Sequence, residues 1–257
     1  DVISRERKGE FLGGTIQVDP HVTAAIKQRI YKVARESNAA VVVVEVGGTV
    51  GDIEGQPFIE AIRQIKNEVY INSTYYVHVT YLPYMKMTGE LKTKPTQHSV
   101  RELRGMGIQP DAIVCRSDYP LDNSTKLKIS RYCDVRSKSV ISLENASSVY
   151  EVPLHLENQN FSKIISQSLN LKYKRLNMIQ WKKMVNIIGN TSTNIRIAIV
   201  GKYVDLPDSY ISVKESLTHA GLKYKLGVEL IWVRAEDVED NGPSEFLDNV
   251  DGVVIPG

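Results

Sequence analysis

Cysteine is scarce in this chain, with only Cys115 and Cys133 among 257 residues. Neither lies in a Cys-x-x-Cys pair or a nucleophile-elbow turn, so both read as small core residues of a reducing compartment. The five histidines (His21, His78, His98, His155 and His219) include no pair at metal-ligand spacing, which argues against zinc. No Gly-x-x-x-x-Gly-Lys-Ser/Thr loop is present, so a self-sufficient P-loop ATPase is not written here. No apolar run approaches the ~18 residues of a spanning helix, and the start carries no signal-peptide pattern. A formal charge of only +2 gives no whole-chain field directed at nucleic acid or a membrane. Five Asn-x-Ser/Thr triplets, at Asn72, Asn123, Asn145, Asn160 and Asn190, are chance products of an Asn- and Ser-rich composition, and the expected location is the cytoplasm. There is no initiator methionine, and Gly252–Gly257 is a strand entering a turn, so both ends read as cut.

What is present is ordinary globular composition, 42% apolar and 24% charged, arranged as alternating strands and helices. Helical spacing runs from about Pro20 to Glu36, followed by an apolar strand Val41–Glu45 and a helix from about Pro57. Strands are expected at Tyr75–Leu82, Asp111–Cys115 and Val140–Leu143, with helices from near Thr96 and over Ser124–Tyr132. This alternation predicts a doubly wound, mostly parallel α/β sheet. A lysine-rich helix, Tyr173–Ile188, and a polar linker, Gly189–Asn194, then lead into a second α/β unit. Its expected strands are Ile195–Val200, Val228–Val233 and Gly252–Ile255, with Asp208 capping a helix to about His219. Three strands are too few to close a domain, so the second unit reads as incomplete.

Two stretches carry chemistry. Val41–Glu54 ends an apolar strand on Glu45 and follows it with Gly47, Gly48, Gly51, Asp52 and Glu54. Glu45 then stands where open α/β sheets bind ligands, as a magnesium ligand or as a solvated strand-end acid. Asp52 and Glu54 either accept bonds from a base or ribose, or favour the N-terminus of the helix from Pro57. In the second stretch, Gly89–Ser99, Lys92 and Lys94 bracket Thr93, and Pro95 and Thr96 open a helix. Two ammonium groups beside free backbone N–H groups make a polyphosphate site, or else a lysine-bearing surface loop. Lys126, Lys128 and Arg131 form a basic stripe whose plain reading is a solvated face. Gly13–His21 is either a substrate loop or a connector.

Together these segments resemble the CTP synthase family, glutamine-dependent enzymes that aminate UTP to CTP. The residues that carry the likeness are Gly13–His21, Glu45–Glu54, Gly89–Leu103, Gln109–Asp118, Gly201–Val213 and the closing Val254-Ile255-Pro256-Gly257. The resemblance implies a dethiobiotin-synthetase-like amidoligase domain over residues 1–171, an interdomain helix and linker over 172–194, and the start of a flavodoxin-like class I glutaminase domain over 195–257. It also implies ATP-dependent phosphorylation of the uracil 4-oxygen with Mg2+, ammonia from glutamine, GTP as activator, CTP as feedback inhibitor and a homotetramer. By position, Glu45 corresponds to a metal ligand. Asp52, Ile53, Glu54, Lys92, Thr93, Lys94, Pro95, Thr96, Gln97 and Lys128 correspond to the UTP/CTP site, with Gln17 a weaker substrate contact. Glu144, Asn145 and Ala146 correspond to the ATP-base segment, and Gly257 to the glutaminase oxyanion hole. The family's P-loop lysine and glutaminase Cys, His and Glu have no counterparts here, so this stretch alone is expected to be inactive. Two alternatives remain at this level: another ATP-dependent ligase of the dethiobiotin-synthetase type, and a silent nucleotide-binding assembly subunit.

Overall fold

The computed structural model describes residues 2–191, 193–206 and 208–257. Ser192 of the expected linker and Pro207 of the Gly201–Val213 element lie outside the described residues. The chain forms two compact units. One holds the residues up to Asn145 with His155–Arg175; the other holds Ala146–Leu154 with Leu176–Gly257.

In the first unit, α1 (Val2–Arg7) precedes α2 (Thr23–Ser37) and α3 (Gln56–Glu68). Pro57 falls in the first turn of α3, where its missing N–H has no partner to lose. Lys27 of α2 donates to Gln64 of α3 at 2.7 Å and pairs with Glu68, to which Tyr31 also donates at 2.6 Å. Burial and that bond push the Tyr31 phenol up to about 12. Next come β1 (Val77–Leu82), a hairpin of β2 (Tyr84–Met85) and β3 (Glu90–Leu91), and α4 (Lys94–Gly105). β4 (Ala112–Ser117), α5 (Asn123–Cys133), β5 (Val140–Glu144), α6 (Val152–Asn158, counted here from His155 onward) and α7 (Phe161–Ser168) follow.

β1, β4 and β5 make a parallel sheet in that order, connected through α4 and α5. Its core is Leu82, Val100, Ile113, Cys115, Ile129 and Val140. β4 is buried along its first four residues, as a central parallel strand covered on both faces should be. Asp122 caps α5 by accepting the Thr125 N–H at 2.7 Å, and Asp134 ends the helix in the left-handed region at φ 55°. At the open side of β5, Gln159 accepts the Ser142 N–H at 2.9 Å and donates to the Ser142 carbonyl at 2.6 Å.

The second unit contains α8 (Ile179–Gly189), β6 (Asn194–Gly201), α9 (Ile211–Tyr224), β7 (Gly227–Arg234), α10 (Ala235–Asn241), α11 (Ser244–Leu247) and β8 (Gly252–Val254). Its sheet is parallel with β6 in the centre, flanked by β7 and β8. Ala198, Val200 and Val233 form its core, with Phe246 and Leu247 packed against them. Tyr150, on the short excursion Ala146–Leu154, donates to Glu215 of α9 at 2.5 Å and lies 2.6 Å from His219 Nε2. Trp181 of α8 donates to the Tyr150 carbonyl at 2.7 Å.

Three expectations fail. Val41–Glu45 is not a strand: it is irregular, with Val43 90% exposed, because no strand among the described residues offers it a ladder. The lysine-rich helix begins at Ile179 rather than Tyr173. Asp208 does not cap the helix after β6, which starts at Ile211; instead its carbonyl accepts the Ile211 N–H at 3.3 Å.

Candidate functional site

Parallel α/β sheets present ligands with loops beyond the carboxyl ends of their strands. β1 ends at Leu82, and the hairpin that follows returns so that the Lys92 N–H donates to the Pro83 carbonyl at 2.9 Å. This bond fixes Lys92 beside the end of β1. Its ammonium pairs with Glu90, whose carboxyl is held below its usual value chiefly by that bond, with a further contribution from Lys128. Glu90 is thus the ion-pair partner of Lys92, and Lys128, 36 positions further on, adds only a small through-space contribution. Lys128 itself is exposed and forms no ion pair among the described residues. At the same edge, the rings of Tyr84 and Tyr119 lie 4.2 Å apart.

The rest of the Lys92–Gln97 motif builds the start of α4. Thr93, Thr96 and Gln97 are buried, whereas Lys94 and Pro95 are exposed. Gln97 donates to Thr93 Oγ1 at 3.0 Å, and Thr96 shares a 3.0 Å hydroxyl bond with Thr80 of β1. These contacts anchor the helix start to the sheet. Lys94, with its ammonium 5.8 Å from the Tyr132 ring centre, remains on the surface. One turn later, Ser99 bonds the buried His78 ring at 2.9 Å, and burial pushes that imidazole's pKa down.

The glycine loop is held by its valines: Val46 and Val50 pack against Ile59, Leu103 and Ile108. Gly48 and Gly51 adopt φ of 86° and 106°, which β-carbon-bearing residues rarely reach. Asp52 accepts the Thr49 N–H at 3.1 Å, and Ile53 is 81% exposed as the chain enters a 3-10 turn through Glu54. The loop's neighbour on α4 is Glu102, whose Cγ would lie 3.5 Å from a β-carbon on Gly51. That is roughly one and a half turns along the helix from Gln97. The loop thus approaches α4 at Glu102 through Gly51, while Asp52, Ile53 and Glu54 that follow are exposed.

Glu45 is exposed and makes no hydrogen bond or ion pair among the described residues. No cluster of three or more metal-ligating side chains occurs among the described residues. The donor set still fits magnesium, which is commonly held by one or two carboxylates with phosphate oxygens and water completing the shell. A carboxylate not committed to a structural bond meets that requirement.

Glu144 ends β5. Asn145, next to it, donates to the Ser117 carbonyl from its backbone at 3.0 Å and to Asp118 Oδ1 from its side chain at 2.6 Å. Tyr81 donates to the other Asp118 oxygen at 2.9 Å. Ala146 is the first residue grouped with the second unit. Gln17 presents its backbone N–H to His21 Nδ1 at 3.1 Å, and Gly257 is exposed beyond β8, with open space where a β-carbon would stand. Sequence reasoning assigned no role to Glu90, Glu102, Asp118 or the tyrosine pair. Of these, Glu90 carries a signal in the sequence, since it lies two residues from Lys92 within Gly89–Ser99. The two cysteines are structural: burial pushes the Cys115 thiol up to about 12 and the Cys133 thiol up to about 11.

The class is now defined: an α/β protein of parallel sheets with cationic side chains and an uncommitted carboxylate set on its loops. Comparison with known proteins narrows it. The family described as CTP synthase N-terminus matches residues 1–171. A CTP synthase of Dehalococcoides mccartyi strain BAV1 is 53% identical over 257 residues, all of this chain and 47% of the relative. CTP synthases of Bacillus subtilis strain 168 and Synechococcus sp. strain JA-3-3Ab are 48% and 52% identical over 256 residues. The chain belongs to the CTP synthase family. It spans about half the length of the curated relatives it matches.

Proposed function

We propose that this chain is part of an ATP-dependent ligase that aminates UTP to CTP in pyrimidine synthesis, using ammonia released from glutamine. The observation that carries the reading is Lys92, fixed beside the end of β1 by its backbone bond to Pro83 and paired with the exposed Glu90. When a triphosphate binds, its oxygens replace the Glu90 carboxylate as the partner of Lys92 and add the exposed Lys128 as a second partner. Exchanging one anionic partner for another keeps Lys92 paired, and the exposed Glu90 returns to water. Thr93, Thr96 and Gln97 keep α4 seated on the sheet, so that Lys94, Pro95 and the first helical turn face the ligand from a fixed position. Asp52, Ile53 and Glu54 would read the pyrimidine nucleotide from the glycine loop, in this subunit or across a homotetramer interface.

Glu45 would hold Mg2+, which offsets charge on the phosphoryl group passing from ATP to the uracil 4-oxygen. Glu144, Asn145 and Ala146 would line the ATP base; the bonds from Asn145 to Ser117 and Asp118 already make that loop rigid. Gly257 would open a backbone oxyanion hole for glutamine hydrolysis, in the unit that GTP would activate. The second unit is then the opening of a flavodoxin-like glutaminase domain, joined by the segment 172–194. No helix among the described residues is long and apolar enough to cross a membrane. Neither nucleic acid nor a membrane is needed as partner, and the cytoplasm supplies every substrate.

The test is Lys92→Ala in the intact enzyme, supplied with free ammonia and followed by UTP-dependent ADP release. Removing one charge-assisted contact should raise the UTP KM by about tenfold or more, while hydrolysis of glutamine alone persists. An unchanged UTP affinity would refute the triphosphate assignment.

A further inference from the structure

We propose that the first unit carries a second anion site, separate from the strand-end lysines, for a small phosphate-bearing compound with an apolar body. A cavity of about 450 Å³ opens along the free side of β5. Three lysines line it: Lys126 from α5, Lys138 from the turn before β5, and Lys163 from α7. No aspartate or glutamate is among its lining residues. At its base lie Ile164, at 9% exposure, and Val140 and Ile141 of β5, at 1% each, so the apolar surface of this floor comes chiefly from Ile164.

One of the cations is set in place before any ligand arrives. Lys126 Nζ donates to Gln159 Oε1 at 3.1 Å, and Gln159 is itself fixed to both backbone polar groups of Ser142. Lys138 and Lys163 have no carboxylate partner among the described residues. Three like charges around one concavity repel one another, and an anion placed among them relieves that repulsion while gaining charge-assisted hydrogen bonds. An apolar floor beneath a cationic rim also rewards a ligand that carries hydrocarbon or an aromatic ring behind its phosphate. The cavity volume lies within the range of small-molecule sites. It is not an extension of the proposed site of Lys92 and Lys128. Lys126 and Lys128 are two positions apart on α5, hence about 200° apart around the helix.

The probe is phenyl phosphate, titrated calorimetrically into the intact protein with its pyrimidine-nucleotide site saturated by UTP. One phenyl phosphate should bind per chain, about tenfold more tightly than inorganic phosphate. The double variant Lys138→Gln, Lys163→Gln should weaken it by at least tenfold and leave ammonia-dependent CTP formation intact. Acetylation of Lys163 by acetic anhydride should slow when phenyl phosphate is present, a readout that needs no variant. Three results overturn the proposal: no binding to the wild type, equal affinity in the double variant, or no protection of Lys163. Equal affinity for phenyl and inorganic phosphate overturns the role given to the apolar floor.

Discussion

Exchanging glycine for alanine inside a helix is usually favourable, by roughly 1 kcal/mol, because the unfolded chain loses freedom that the helix does not need. At Gly221 the sign should reverse. Gly221 lies within α9, is buried, and would carry a β-carbon 2.7 Å from Val228 Cγ2 and 2.8 Å from the Leu226 carbonyl oxygen. The first contact could relax by moving a side chain. The second is backbone, and it is held by the Leu226 N–H donating to the Gly221 carbonyl at 3.0 Å. Relief requires shifting the turn that feeds β7. Overpacking of this kind costs about 1–3 kcal/mol, with a clash against fixed backbone in the upper part of that range, so after the roughly 1 kcal/mol helix gain Gly221→Ala should lower stability by about 1–2 kcal/mol. Gly105, the last residue of α4, has nothing within 4 Å of its β-carbon position. There the same substitution should be neutral or stabilising by up to about 1 kcal/mol. Urea unfolding followed by tryptophan fluorescence isolates the first effect, since Trp181 and Trp232 both belong to the second unit. Far-UV circular dichroism reports on Gly105→Ala. A Gly221→Ala protein as stable as wild type would refute the claim that this helix is seated by backbone contact.

Asp122 offers a pH test. The Thr125 bonds hold its carboxyl below the usual 3.8, so the folded form favours the ionised group. Its contribution is fully present above that value and is lost as pH falls through the lower folded value. Asp122→Ala should therefore flatten the acid limb of the stability profile; an unaltered limb would show that the cap carries no such linkage. Cys115 and Cys133 should resist iodoacetamide at pH 8 in the native state and react when urea exposes them, and rapid native labelling of either would contradict their burial. Ile129→Ala, at a fully buried position between α5 and the sheet, should cost about 2–5 kcal/mol by thermal or urea melting. A loss well under 1 kcal/mol would mean that the core collapses around the vacancy.

Much of the first unit was legible because its signals are local. α5 was expected at Ser124–Tyr132 and spans Asn123–Cys133, since helical spacing and the Asx cap lie within a few residues of each other. β4 and β5 were legible as short apolar runs between helices. Val41–Glu45 departs from its strand expectation because a strand needs a paired segment: four valines supply β propensity, but the ladder must come from elsewhere. The β2–β3 hairpin went unseen because two-residue strands leave no alternation to detect. The site divides in the same way. Lysines beside a helix start could be read as an anion motif from spacing alone. The placing of Lys92 beside the end of β1 depends on the return of the hairpin to Pro83, which no spacing along the chain encodes. The grouping of Ala146–Leu154 with the second unit likewise arises from Tyr150 and its partners on α8 and α9.

The Gln159 carboxamide also has a consequence for self-association. β5 has no neighbour on its outer side among the described residues, and such a margin ordinarily invites another polypeptide to add itself as the next strand. By bonding both the N–H and the carbonyl of Ser142, Gln159 occupies the middle rung that an incoming strand would need. Glutamate at this position could still accept the amide hydrogen but could not donate to the carbonyl. A single amide nitrogen thus helps to keep the molecule from templating its own aggregation.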